Sequence, residues 1–83
     1  MSQQLVYSIP LKDDEEIHVN LKEFKGNLYC DIRVYFYSKD QDIKLPSKKG
    51  LTVRVDLLDS LSQGIEQVKQ ALVTRNALAE IEA

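Results

Sequence analysis

The chain has 83 residues, with 11 Lys/Arg, 13 Asp/Glu, one cysteine and one histidine, which is enough for one domain and not two. A lone Cys30 and a lone His18 exclude a disulfide framework and any paired-ligand metal site, and no apolar run approaches the roughly 20 residues that span a bilayer. So short a chain buries a modest share of its surface, which makes tight packing or association necessary; a dimer is expected.

Met1-Ser-Gln-Gln has no basic start running into an apolar stretch, so no secretory signal is expected. With a free cysteine, this points to a reducing, intracellular setting. A first strand over about 5–11 follows from Leu5, Tyr7, Ile9 and Leu11 alternating with Val6, Ser8 and Pro10, the proline restricting it to an edge or an end. Asp13–Glu16 reads as an acidic, solvated turn rather than a carboxylate site. Ile17, Val19 and Leu21 alternate with His18, Asn20 and Lys22 in a second strand over about 17–24, and Gly26-Asn27 marks a tight turn.

The third strand, about 28–37, has the clearest pattern. Leu28, Cys30, Ile32, Val34 and Phe36 take one face, and Tyr29, Asp31, Arg33, Tyr35 and Tyr37 the other. A polar loop from Ser38 to Lys49 contains Pro46 and ends at Gly50; a fourth strand follows over about 50–55. Then the period changes. Leu58, Leu61, Ile65, Val68 and Leu72 recur every three or four residues, predicting an amphipathic helix over about 57–80, capped by Asp56 or Asp59. The fold class is α+β: a four-stranded antiparallel sheet followed by one helix, which is expected to cover one sheet face.

The formal net charge of −2 conceals a segregation. Residues 20–54 hold eight bases and four acids, a net of +4, while the segments on either side are each at −3. The face opposite the aliphatic one then carries His18, Asn20, Lys22, Phe24, Tyr29, Arg33, Tyr35, Tyr37, Thr52 and Arg54. Lys25 lies in the turn, Lys44, Lys48 and Lys49 in the loop. Cations attract phosphates and release counterions. Unpaired bases stack on aromatic rings for about 1–3 kcal/mol each, whereas a duplex hides those base faces. The pattern therefore favours single-stranded DNA, or RNA, over duplex. The competing reading is a protein-interaction module that docks a partner through the tyrosine face or the leucine helix. No nucleophile–base pair or phosphate-cradling loop is visible, so neither an enzyme, a cofactor nor a small-molecule substrate is expected. His18 reads as a surface or phosphate-contacting residue, and Cys30 as core. The helix stripe reads as core or dimer seam, its acidic polar face not suiting a membrane surface.

Three segments, Val19-Asn-Leu-Lys-Glu-Phe-Lys-Gly, Asp31-Ile-Arg-Val-Tyr-Phe and Pro46-Ser-Lys-Lys-Gly-Leu, together resemble the Positive Cofactor Four family of transcriptional coactivators. The resemblance runs from about Leu5 to Leu72. It implies a curved four-stranded sheet with one helix, dimerised so that two sheets present single-strand-binding channels. By position it implies that Lys22, Phe24 and Lys25 are basic and stacking residues, that Arg33 contacts the ligand, that Phe36 is a second stacking aromatic and that Lys48 and Lys49 form a basic pair. Asn27 stands where a basic residue is common, and Leu45 where a lysine can occur. Simple alternation puts Phe36 inward; a β-bulge near Val34–Phe36 would invert its parity, or a neighbouring tyrosine takes the role. The compact form resembles bacterial and phage members. It implies a cytoplasmic or nucleoid setting (nuclear in a eukaryote) and a role with transiently opened DNA in transcription, replication or recombination.

Overall fold

The computed structural model describes the backbone of residues 2–82 and side chains as far as Ala77. Four antiparallel strands lie in chain order across one sheet: β1 (Ser2–Lys12), β2 (Glu15–Phe24), β3 (Asn27–Ser38) and β4 (Ile43–Arg54). A 3-10 turn, Val55–Leu57, leads into helix α1 (Leu58–Glu82). The period-two segments of the sequence form the two central strands, which pair without a break from Glu15 opposite Phe36 to Phe24 opposite Asn27. Their connection is the two-residue turn Lys25-Gly26, with φ of 52° and 78°. Hairpin turns of this kind need positive φ at both central positions, natural for glycine and uncommon for lysine. The turn is therefore one residue earlier than the expected Gly26-Asn27.

Pro10 lies in an edge strand as expected, but both edge strands run longer than the sequence predicts. β1 is exposed along its length and takes Pro10 beside a register shift, as an edge strand can. Only Asp13 and Asp14 of the acidic run form the turn, since Glu15 and Glu16 already belong to β2. At the other edge, the expected loop up to Lys49 is mostly strand: β4 begins at Ile43 and carries Pro46 within it. Between Arg33 and Tyr35 of β3 the β4 partner jumps from Gly50 to Pro46, so Ser47, Lys48 and Lys49 bulge out. Ser47 pins the bulge: its hydroxyl donates to the Val34 carbonyl at 2.8 Å and accepts from the Lys49 amide at 3.1 Å. Gly50 then passes so close to β3 that a Cβ there would stand 2.4 Å from the Ile32 carbonyl oxygen.

Residues directly opposite one another share a face. One face therefore gathers Ile17, Val19 and Leu21 with Leu28, Cys30, Ile32, Val34 and Phe36; the other gathers Glu16, His18, Asn20, Lys22 and Phe24 with Tyr29, Asp31, Arg33 and Tyr35. The helix does not cover the aliphatic face. α1 packs on the 3-10 turn, and the molecule extends over 51 × 34 × 18 Å. Leu21, Leu28 and Leu51 on the sheet and Ile65, Val68 and Leu72 on the helix stay exposed. The most buried side chains include three polar ones, His18, Asn20 and Asp31, beside Cys30.

Candidate nucleic-acid interface

The β2–β3 register assembles the first part of the site. Lys22 lies opposite Tyr29, and Tyr29 opposite Arg54. Phe24 and Thr52 sit diagonally from Tyr29, within reach of an aromatic side chain. Lys22, Phe24, Tyr29 and Thr52 line an open recess of about 240 Å³ at this end of the sheet. The Phe24 ring is 44% exposed, and the Lys25 ammonium stands 5.3 Å from its centroid. Among the described residues, Lys22, Lys25, Lys48 and Lys49 make no ion pair, whereas Arg54 is paired with Asp56 at 2.7 Å.

The middle of the face is a buried polar network. Asp31, 3% exposed, accepts hydrogen bonds from Nε and Nη2 of Arg33, at 3.2 and 3.0 Å, and from the Thr52 hydroxyl at 2.6 Å. Burial pushes the Asp31 carboxyl up, but the bonds from Arg33 and Thr52 outweigh it and hold it below the usual range. Nη1 of Arg33 donates to the Ser47 carbonyl at 3.1 Å, tying the guanidinium to the β4 bulge. Three of its five N–H groups are thus committed, leaving one on each terminal nitrogen for a ligand. Asn20, 1% exposed, lies opposite Asp31, and its amide finds no partner among the described residues.

The far end is organised differently. Tyr35 stacks on His18 with ring centroids 4.1 Å apart and an interplanar angle of 17°, and its hydroxyl accepts a bond from Gln3 of β1 at 3.1 Å. The tyrosine thus crosses β2. His18 is buried rather than the surface residue expected, and its Nε2 donates to Glu16 at 2.6 Å. The same carboxylate oxygen accepts from Lys44 at 2.8 Å. Lys44 first and His18 second hold the Glu16 carboxyl below the usual carboxylate range. Tyr37, opposite Lys44, donates to Asp42.

A model of the family Transcriptional Coactivator p15 (PC4) matches residues 11–64. The chain belongs to the PC4 family. Its fold is that of a PC4 homolog from Burkholderia pseudomallei, solved in two crystal forms. The orthorhombic form has a TM-score of 0.74 at 20% identity, covering 82% of this chain and 90% of that one. The tetragonal form has 0.75 at 22%, covering 82% and 98%. A bacteriophage T5 homolog of the eukaryotic coactivator PC4 matches with a TM-score of 0.65 and 27% identity, covering 99% of this chain and 90% of that one. No match was found among curated proteins.

On this PC4 sheet, the residues expected from the sequence fall into groups. Lys22, Phe24, Lys25, Tyr29 and Arg54 gather at the hairpin end, and Arg33 lies mid-face in the Asp31 network. Tyr35 and Lys44 lie at the far end, engaged by His18 and Glu16. Lys48 and Lys49 ride the bulge, where Lys49 borders a recess with Ile17, Val34 and Leu51 of the aliphatic face. Phe36 is not brought to the basic face. The shift near Val34 lies in β4, so the alternation of β3 runs on unbroken and Phe36 borders the acidic turn, beside Lys12, Asp13, Asp14 and Glu15. Sequence reasoning put Asp31 on this face only as an opposing charge, and gave Glu16 no place in the site. Nothing in a run of four acids distinguishes the one carboxylate that turns onto the polar face, except its even parity with His18.

Proposed function

We propose that this chain binds single-stranded DNA, largely without regard to sequence, as a homodimer and without catalysing a reaction. The observation that carries the reading is the open recess of Lys22, Phe24, Tyr29 and Thr52, where two aromatic side chains meet an ammonium that has no ion pair among the described residues. Exposed rings offer a stacking platform to unpaired bases, and the lysines of the turn and bulge follow the phosphates. Family membership supports DNA as the ligand. The phage T5 homolog is implicated in recombination-dependent DNA replication, and a role at transiently opened DNA, within the cytoplasm or nucleoid, is the corresponding proposal here.

The homodimer rests on the other face. Leu21, Leu28 and Leu51 of the sheet and Ile65, Val68 and Leu72 of the helix are exposed, and large exposed apolar patches mark interaction sites. A second copy related by a two-fold axis supplies a self-complementary cover for both. No helix of the described residues is long and apolar enough to cross a membrane, so a bilayer-spanning role for the stripe has no support.

The test is salt-titrated fluorescence anisotropy with an oligothymidine, a duplex of equal length and the matching RNA, alongside light scattering. The expected results are preference for the single strand, affinity falling linearly on log–log axes as salt rises, and a mass twice the 9.5 kDa of the chain. Preference for duplex, or absence of any salt-dependent shift, would refute the ligand assignment. A monomer mass would refute the dimer.

A further inference from the structure

We propose that Glu16 is an internal competitor for nucleic-acid phosphate, closing the far end of the polar face so that a strand engages chiefly the hairpin end. This rests on the single-strand reading above and adds to it a residue that sets how much of the face is used.

The face carries two places where an aromatic group and a cation meet. At the hairpin end, Phe24 and Tyr29 accompany Lys22, which has no ion pair among the described residues. Six residues along β2, about 20 Å away at about 3.3 Å per residue, Tyr35 and Tyr37 accompany Lys44. Lys44 is not available in the same way. Its ammonium lies 2.8 Å from Oε1 of Glu16, and His18, the neighbouring imidazole, donates to that same oxygen at 2.6 Å. A carboxylate that accepts from a lysine and a histidine occupies the place a phosphate oxygen would take, with the same sign of charge and the same donors.

Glu16 is fixed there by its surroundings. Strand parity turns it onto the polar face, opposite Tyr35, while its neighbour Glu15 points to the other face, opposite Phe36, where it pairs with Lys12 at 3.6 Å. His18 is in turn held by the stacked Tyr35 ring. A phosphate approaching Lys44 must displace this carboxylate or accept its repulsion.

The experiment compares wild type, Glu16→Gln, Glu15→Gln and the double variant Glu16→Gln/Lys44→Ala in anisotropy titrations with an oligothymidine of roughly twenty nucleotides. Thermal melts establish that each variant is folded. Glu16→Gln is expected to bind about fivefold more tightly at about 50 mM salt and about twofold more tightly at about 200 mM, the steeper slope of about 0.7 that one further single-strand phosphate contact gives. Lys44→Ala in that background is expected to remove the gain. Glu15→Gln makes the same change in net charge on the opposite face and is expected to give less than half of it. Equal gains from the two glutamate substitutions, or a gain that survives Lys44→Ala, would overturn the role of Glu16. So would a folded Glu16→Gln protein that binds like wild type, leaving the single-strand reading intact. A wild-type protein with no salt-dependent binding would instead sink that reading, and this inference with it.

Discussion

Asp31→Asn is the substitution that most directly tests the buried network of the polar face. Asparagine keeps the volume and one acceptor but removes the charge that Arg33 grips through Nε and Nη2 at 3.2 and 3.0 Å. Breaking a fully buried pair costs about 3–5 kcal/mol. The Arg33 side chain is 20% exposed and can recover part of its hydration, so about 2–3 kcal/mol is expected here. With a urea m-value of about 1–1.5 kcal/mol/M, suited to a small domain, the midpoint should fall by roughly 2 M. The pH dependence follows from the direction of the shift. The folded carboxyl titrates below its unfolded value, so its stabilisation is complete above the unfolded range near about pH 4 and is lost as pH falls through the folded pKa. Wild type and variant should therefore differ fully at neutral pH and converge in acid. The assay is urea denaturation at one fixed protein concentration, since the proposed association would also contribute to stability, repeated from neutral pH downwards. Equal midpoints at neutral pH, or a difference that does not change with pH, would refute the reasoning.

Three further outcomes are expected. Phe24→Ala should weaken oligothymidine binding by about 5- to 150-fold, the equivalent of about 1–3 kcal/mol of lost stacking, with an unchanged salt slope; a loss confined to the slope would point to charge instead. Gly50→Ala forces a methyl to within 2.4 Å of the Ile32 carbonyl oxygen, so β4 must lift from β3. A destabilisation of about 1–3 kcal/mol should appear in the urea midpoint, and an unchanged midpoint would show that the strand yields freely. Val68→Glu places a charge in the exposed helix stripe and should shift the light-scattering mass from dimer to monomer at micromolar protein. A dimer that persists unweakened would move the interface off the helix.

Strand parity was readable because β2 and β3 alternate strictly and each sheet face wants one kind of side chain. The turn set at Gly26-Asn27 instead of Lys25-Gly26 displaced the cross-strand partners by two positions without moving any residue to the other face, so the list of face residues survived it. β4 was misread for a physical reason. Pro46, Ser47 and two lysines look like loop, yet an edge strand tolerates a proline and a bulge absorbs the extra residues. The helix stripe reads from the sequence as core or dimer seam, and only the first of these fails, since α1 does not cover the sheet. A period of 3.6 records that a face must be covered and says nothing about whether the cover comes from the same chain. Arg33 and Asp31 share a face by the alternation of β3, so their proximity was legible; the Lys44–Glu16 pair was not, because it joins β4 to β2 and depends on register rather than composition. Together the two pairs decide which cations remain for a ligand.

That last point bears on how an acidic chain can hold a polyanion. The segment with a net of +4 suggests a continuous basic surface, but the fold spends several of those charges internally: Arg33 on Asp31, Lys44 on Glu16, Arg54 on Asp56. Among the described residues of that segment, what stays unpaired is Lys22 and Lys25 beside Phe24, Lys48 and Lys49 on the bulge, and Lys39 in the β3–β4 turn. With few lysines in play, the electrostatic contribution to binding is modest and its salt slope shallow. Affinity at higher salt must then come from stacking on Phe24 and Tyr29, or from two sheets engaging one strand at once, where linkage raises the effective concentration of the second contact. A dimer formed through the aliphatic face and helix would leave both basic faces open. The exposed apolar surface and the sparse set of unpaired cations point the same way: on the proposed reading, one sheet alone would bind weakly and a pair of sheets would be the functional unit.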